Sequence, residues 1–219
     1  MQYMLGCLIL EEIMKFTAYD LQMESKTYRL FDVIDVPRQL RVAYPQGGTP
    51  TVLANAMGFD FLENIFKIAS VSIKDNCLIR VRDNSKEVEK FHDWYPSSAE
   101  FHLDMVIYNY QYTQISSKKI MRLLKMLDYS KKKCIDIAVP DITYNNNKWW
   151  KLEGTLNVDK RSNFLIISSN SYGFLYMADE ASRYHDIEDD EEELFAHSHL
   201  FGLCKHEDLL DMRYYYEEN

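Results

Sequence analysis

EFHLDMVIYNYQY, residues 100–112, decides the fold class, because β-branched and aromatic residues recur there at near period-two spacing, the signature of a half-buried strand. A helix is expected to follow directly. Ser116 and Ser117 offer N-caps, and Ile120, Leu123, Leu124 and Leu127 fall at helical spacing, while Lys118, Lys119, Arg122 and Lys125 mostly take the other face. C-terminal to this unit, residues 135–139, 150–156 (WKLEGTL) and 163–168 read as further strands, with polar turns at 144–147 and 159–162. On the N-terminal side, residues 28–42 alternate in part, and Pro37 marks an edge strand or a break between two short strands. Residues 44–50 (YPQGGTP) form the clearest loop. Thr49 and Pro50 then have the chemistry of an N-cap and a first helical residue, predicting a helix within 51–69 that Gly58 interrupts. Residues 71–73 and 77–82 read as short β runs joined by a hairpin turn at 74–76. No internal repeat is expected. The mixture predicts an α+β fold, with a mixed or antiparallel sheet and two or three helices in a single compact domain.

Composition agrees with an ordered domain. The chain has 219 residues, 47% of them apolar and 27% charged, and its 7 Gly and 5 Pro are too few for a linker-rich chain. Cys7, Cys77, Cys134 and Cys204 form no CxxC pair, which excludes a local zinc knuckle or redox dithiol and predicts free, mostly buried thiols. No apolar run approaches the roughly 18 residues that span a bilayer. Residues 1–13 (MQYMLGCLILEEI) lack the basic start and small-residue cleavage site of a leader, so a cytoplasmic location is expected. Glu11-Glu12 also precedes Met14 at a suggestive distance: GAGGAG, one coding of the pair, would form a bacterial ribosome-binding site. The expectation is a native start at Met14, with 1–13 a non-native extension and 14–219 one domain ending in an acidic segment, 178–219. An ordinary first strand or helix is the alternative for 1–13.

The charge is unevenly placed. Residues 178–219 hold 14 acids against Arg183, Lys205 and Arg213, a net of −11, which leaves +2 for the first 177 residues out of a total of −9. Within that segment Asp186, Glu188, Asp189, Asp190, Glu191, Glu192 and Glu193 put seven carboxylates into the nine positions that begin at His185. Such density repels itself and needs water or a cationic partner. Three readings follow: a solvated loop, docking onto the chain's own basic stretch at 118–133 (net +6), or a recognition surface for a basic partner.

Candidate chemistry is sparse. His197-Ser198-His199 would place both rings on one side of a strand, as two metal ligands require, with Asp186, Glu188 or Glu193 to complete the set. His102 with Asp104, and His92 with Asp93 beside Trp94, are the acid/base pairs on offer. The P-loop, dinucleotide, nucleophile-elbow and zincin motifs are absent from the sequence, so no cofactor is expected. A pI of about 5.2 disfavours direct nucleic-acid binding, although the basic helix with Tyr129 offers a local phosphate-binding face.

Small, acidic, rich in Tyr and Trp, motif-poor and α+β, the chain resembles bacterial immunity proteins, which neutralise a sibling toxin. The resemblance is one of general character. It implies a stoichiometric inhibitor rather than an enzyme, whose acidic rim and aromatic anchors occlude a basic toxin domain. Tyr172, Phe174, Tyr176 and Trp149 or Trp150 are the anchors expected on that reading. The rivals are a metal-dependent hydrolase or nuclease built on His197 and His199, and a structural subunit or adaptor.

Overall fold

The computed structural model describes residues 12–71, 75–85, 95, 98–144, 152–185, 197–200, 203–204 and 209–215. Its first elements, β1 (Ile13–Met23) and β2 (Lys26–Val33), pair antiparallel from Phe16↔Val33 to Met23↔Lys26. Glu24, at φ 57°, takes the left-handed conformation that closes this hairpin. Alternation sends Phe16 and Ala18 into one core and Tyr19 and Leu21 into another, so β1 is covered on both faces. Pro37 marks the break the sequence suggests, between β2 and β3 (Arg41–Ala43).

The helix expected to begin at Thr49–Pro50 starts later. Thr51–Ala54 is a strand, β4, fully buried and paired antiparallel with β3. A buried apolar run this short has no periodicity to separate strand from helix. Helix α1 (Ala56–Ser70) is capped by Asn55, whose side chain accepts from Gly58 N at 3.0 Å. Gly58 does not interrupt it: a Cβ there would lie 2.7 Å from the Ala54 methyl, so glycine permits the strand-to-helix turn to close. Val71 is the C-cap of α1 and residues 72–74 lie outside the described residues, while the run expected at 77–82 does form a strand, Cys77–Val81.

β5 (Cys77–Val81) runs parallel to β2 and antiparallel to β6 (Asp104–Asn109). β6 is the middle of the quoted 100–112 stretch. Glu100 instead bridges Tyr44, His102 takes a left-handed φ of 64°, and Tyr110–Tyr112 turn around Asn109. The expected basic helix is α2 (Ser117–Lys125), N-capped by Ser116, with Ile120 and Leu123 buried. β7 (Lys133–Ala138) follows on the outer edge of β1. The strand expected at 150–156 lies later, because Glu153 and Gly154 turn and β8 (Asn157–Arg161) occupies part of the expected polar turn. A Ser162–Asn163 turn, with Ser162 at φ 51°, then leads into β9 (Phe164–Ser169). Helix α3 (Ser171–Ser182), β10 (His197–His199) and β11 (Asp211–Tyr214) complete the described elements.

The strands form a mixed seven-stranded sheet, β7-β1-β2-β5-β6-β9-β8, and a mixed four-stranded sheet, β10-β11-β4-β3. The expected α+β class holds. One core joins α1 and α3 to residues of both sheets, among them Phe16, Phe31, Ile107 and Ile167 of the larger and Val42, Val52 and Met212 of the smaller. A second core, with Tyr19, Leu30, Leu78, Val106 and Ile166, packs the opposite face of the larger sheet against α2. α1 is therefore buried almost all round. Cys204 is buried as expected, whereas Cys77 is half-buried and Cys134 exposed, because Cys134 stands on an edge strand.

A short repeat that the sequence reading did not anticipate organises this core. Asn55-Ala56-Met57-Gly58-Phe59 and Asn170-Ser171-Tyr172-Gly173-Phe174 each end a strand and start a helix, with Asn accepting from the Gly N–H three residues on. At Gly173 an added Cβ would sit 2.0 Å from Ser169 Oγ, which donates to Thr155 O inside the core. Alanine in a helix gains about 1 kcal/mol over glycine, but overpacking costs about 1–3 kcal/mol, and this approach is too close for the gain to win. Gly173→Ala is expected to lower unfolding free energy in urea by about 1–2 kcal/mol, and Ser169→Ala in the same chain to restore part of it. Additive losses in the double variant would refute the close contact as the cause.

Candidate functional site

α1 and α3 lie against each other, with Phe66 stacked on Phe174 at 6.2 Å between ring centroids. Farther along, Phe59 stacks on Tyr184 at 4.1 Å and Tyr184 on Tyr214 at 6.4 Å, which ties α1, the end of α3 and β11 together. Phe174 is completely buried in this packing and is not available as a partner anchor, contrary to the expectation for it. Helical spacing turns Tyr172 outward instead, and it is 64% exposed. Tyr176 is half-buried against the core. Burial, then the neighbouring Glu180 charge and a hydrogen bond to Glu180, push its hydroxyl up to about 12. Trp149 and Trp150 lie outside the described residues.

The acidic segment divides at the end of α3. Asp179 and Glu180 belong to the helix and are buried, held by Arg183 at 3.2 and 3.1 Å, and Glu180 also accepts from Ser198 Oγ at 2.5 Å. These two acids are internal and contribute no open anionic face. Asp186, Glu188, Asp189, Asp190, Glu191, Glu192 and Glu193 lie outside the described residues, beyond His185. On the basic helix, Lys119 pairs with Glu24 at 3.0 Å.

His197 and His199 occupy β10, opposite Arg213 and Asp211 of β11. Ser198 faces Glu180 on α3, so period-two alternation puts positions 197 and 199 on the other face of the strand. Asp186, Glu188 and Glu193, named as further ligands, lie outside the described residues.

His102 pairs with a different aspartate from the one expected. Its Nδ1 lies 2.6 Å from Asp83 Oδ2, while Asp104 accepts from Arg80 and from Asp83 N. Ser85 Oγ donates to Asp83 at 2.6 Å and lies 3.4 Å from the same Nδ1. A relay needs serine and carboxylate on opposite ring nitrogens, so this trio is a surface clasp and not a nucleophile. The His92–Asp93 pair lies outside the described residues.

A further polar cluster, centred on α1, was not singled out from the sequence. Glu63 on α1 is 6% exposed, yet its Oε1 accepts from Tyr144 OH and meets Lys67 Nζ, both at 2.6 Å, and its Oε2 lies 3.0 Å from His185 Nε2. Asp60, one turn earlier, lies 3.6 Å from the same nitrogen. Burial first, then the hydrogen bond to Glu63, drives the Tyr144 hydroxyl far above its ordinary value. The spacing Asp60-x-x-Glu63-x-x-x-Lys67 was legible as one helix face. Its convergence with Tyr144 and His185 was not. Among family models, curated proteins and solved structures, none matches the chain.

The tyrosines set an alkaline limit on the fold. A hydroxyl that titrates near 10.0 when unfolded and at about 12 in place stays protonated in the native chain while the unfolded chain ionises. Its contribution is thus complete below pH 10 and is lost as pH rises toward about 12. Melting temperature is expected to fall across that window and to fall less steeply in Tyr176→Phe. Parallel profiles for the two proteins would contradict this account.

Proposed function

We propose that this chain is a stoichiometric protein-binding inhibitor, most like a bacterial immunity protein, which occludes a basic toxin domain with a surface that combines Tyr172 and the acidic run. The observation that carries this reading is Tyr172, a large aromatic 64% exposed on α3, the helix whose C-terminal end delivers the chain to the seven carboxylates of 186–193. At 1.5 Å per residue, the 12 residues of α3 span roughly 18 Å. A standard interface of about 800 Å² per partner is roughly 30 Å across, wide enough for both features. Tyr172 serves as the anchor, and Asp186, Glu188, Asp189, Asp190, Glu191, Glu192 and Glu193 steer a cationic partner toward it. Tyr176 backs the anchor from the half-buried side of the same helix, and Trp149 and Trp150 extend the aromatic set. Inhibition is by occlusion, with no turnover.

A second reading, a metal-dependent hydrolase or nuclease, draws on β10, where the two histidine positions share a strand face and position 199 is in register with Asp211. A His197→Ala, His199→Ala double variant that abolished a hydrolytic activity would favour it.

For the inhibitor, the test is co-expression with the product of the neighbouring gene in a growth assay, paired with binding measurements at several salt concentrations. Protection is expected from the native chain and not from a variant with Glu188, Asp189, Asp190, Glu191, Glu192 and Glu193 changed to their amides, and affinity should fall steeply with salt. Tyr172→Ala should weaken binding by about 30-fold, the effect of losing a 2 kcal/mol anchor. A harmless neighbour, or full protection by the amide variant, would overturn the reading.

A further inference from the structure

We propose that Asp60, Glu63 and His185 bind a first-row divalent metal ion of the Zn²⁺ type, clamping the end of α3 to α1. The ligand atoms already converge. His185 Nε2 lies 3.0 Å from Glu63 Oε2 and 3.6 Å from Asp60 Oδ1, and one atom from each side chain lies within 4.8 Å of the other two. Bonds of about 2.1 Å to nitrogen and oxygen separate adjacent ligand atoms by about 3.4 Å in a tetrahedron and about 3.0 Å in an octahedron. The two shorter separations fall around those edges, so an ion fits with small side-chain rotations.

Glu63 is prepared as a ligand. Tyr144 OH and Lys67 Nζ both engage Oε1, leaving Oε2 directed at His185, and with the carboxylate 6% exposed its orientation is fixed by neighbours rather than by water. Such outer contacts orient metal-binding carboxylates. Lys67 also supplies a counter-charge for Glu63, so the Asp60 carboxylate and the imidazole exceed what a simple ion pair requires. One imidazole with two carboxylates suits zinc and its first-row neighbours, whereas calcium selects oxygen alone. The outer side is open: the Asp60 side chain is 55% exposed and that of His185 31%, which gives the ion an entry path and room for water in its shell.

The test is calorimetric titration of the full chain with zinc chloride, paired with thermal melting before and after a chelator. One ion per chain and a melting temperature that rises with zinc and returns with chelator are expected. Because Glu63 is buried and its replacement can impair folding, Asp60→Asn and His185→Gln carry the test, and each should weaken binding at least tenfold. Tyr144→Phe, which removes one of the two groups that hold Oε1, should weaken it by about tenfold. The His197→Ala, His199→Ala double variant and Cys134→Ser, which removes an exposed thiol, should bind like the native chain. No zinc uptake by the native chain, undiminished uptake by Asp60→Asn and His185→Gln, or loss of uptake in the double histidine variant would each overturn the proposal.

Discussion

Everything in this molecule is arranged around the burial of α1 between two sheets, and the two strand–Asn–x–x–Gly–Phe junctions allow it. An asparagine side chain satisfies one of the free N–H groups at the start of each helix, an effect worth about 1 kcal/mol. A glycine lets helix and strand approach where a methyl group would clash, at Gly58 against Ala54 and at Gly173 against Ser169. The phenylalanine that follows then enters the core, Phe59 onto Tyr184 and Phe174 opposite Phe66, each ring adding about 2–3 kcal/mol of burial. The caps position and the rings stabilise. Because both junctions have the same local chemistry, α1 and α3 emerge with their aromatic faces toward each other, and the smaller sheet closes over them through Val42, Val52 and Met212.

Placing a carboxylate inside such a core costs several kcal/mol unless it is paired. Glu63 is paired from three parts of the chain: Lys67 on its own helix, Tyr144 from the loop after β7, and His185 from the turn after α3. These contacts fix how those segments sit on α1. Glu180 repeats the arrangement on α3, where Arg183 and Ser198 hold it and bring β10 against the helix. Buried acids therefore act here as joints between elements.

The other face of the larger sheet uses charge differently. Arg80 pairs with Asp104 and Arg82 with Asp32, while Arg82 also lies over Tyr129, whose ring meets Tyr19 edge-on. Strong charge-assisted contacts cover strand ends that the nine-residue α2 is too short to shield. Arg80 and Arg82 on this face are thus held by internal partners.

Several features were legible without coordinates because their causes are local. The period-two run around Val106, the Ser116 cap with Ile120 and Leu123 at helical spacing, the break at Pro37 and the α+β class all follow from residues a few positions apart. So does the charge asymmetry, which is a property of composition. Thr51–Ala54 reads as helix in the sequence because a fully buried strand loses the alternation that marks strands, and one of its two partners, β11, comes from the far end of the sequence. For the same reason, Phe174 could not be told from Tyr172 as an anchor, since only the arrival of Phe66 decides which ring is covered. The convergence of Asp60, Glu63, Tyr144 and His185 likewise belongs to tertiary structure alone. Sequence determines which groups carry charge and which short stretches coil or extend, whereas long-range packing decides which of those groups lose their water and meet.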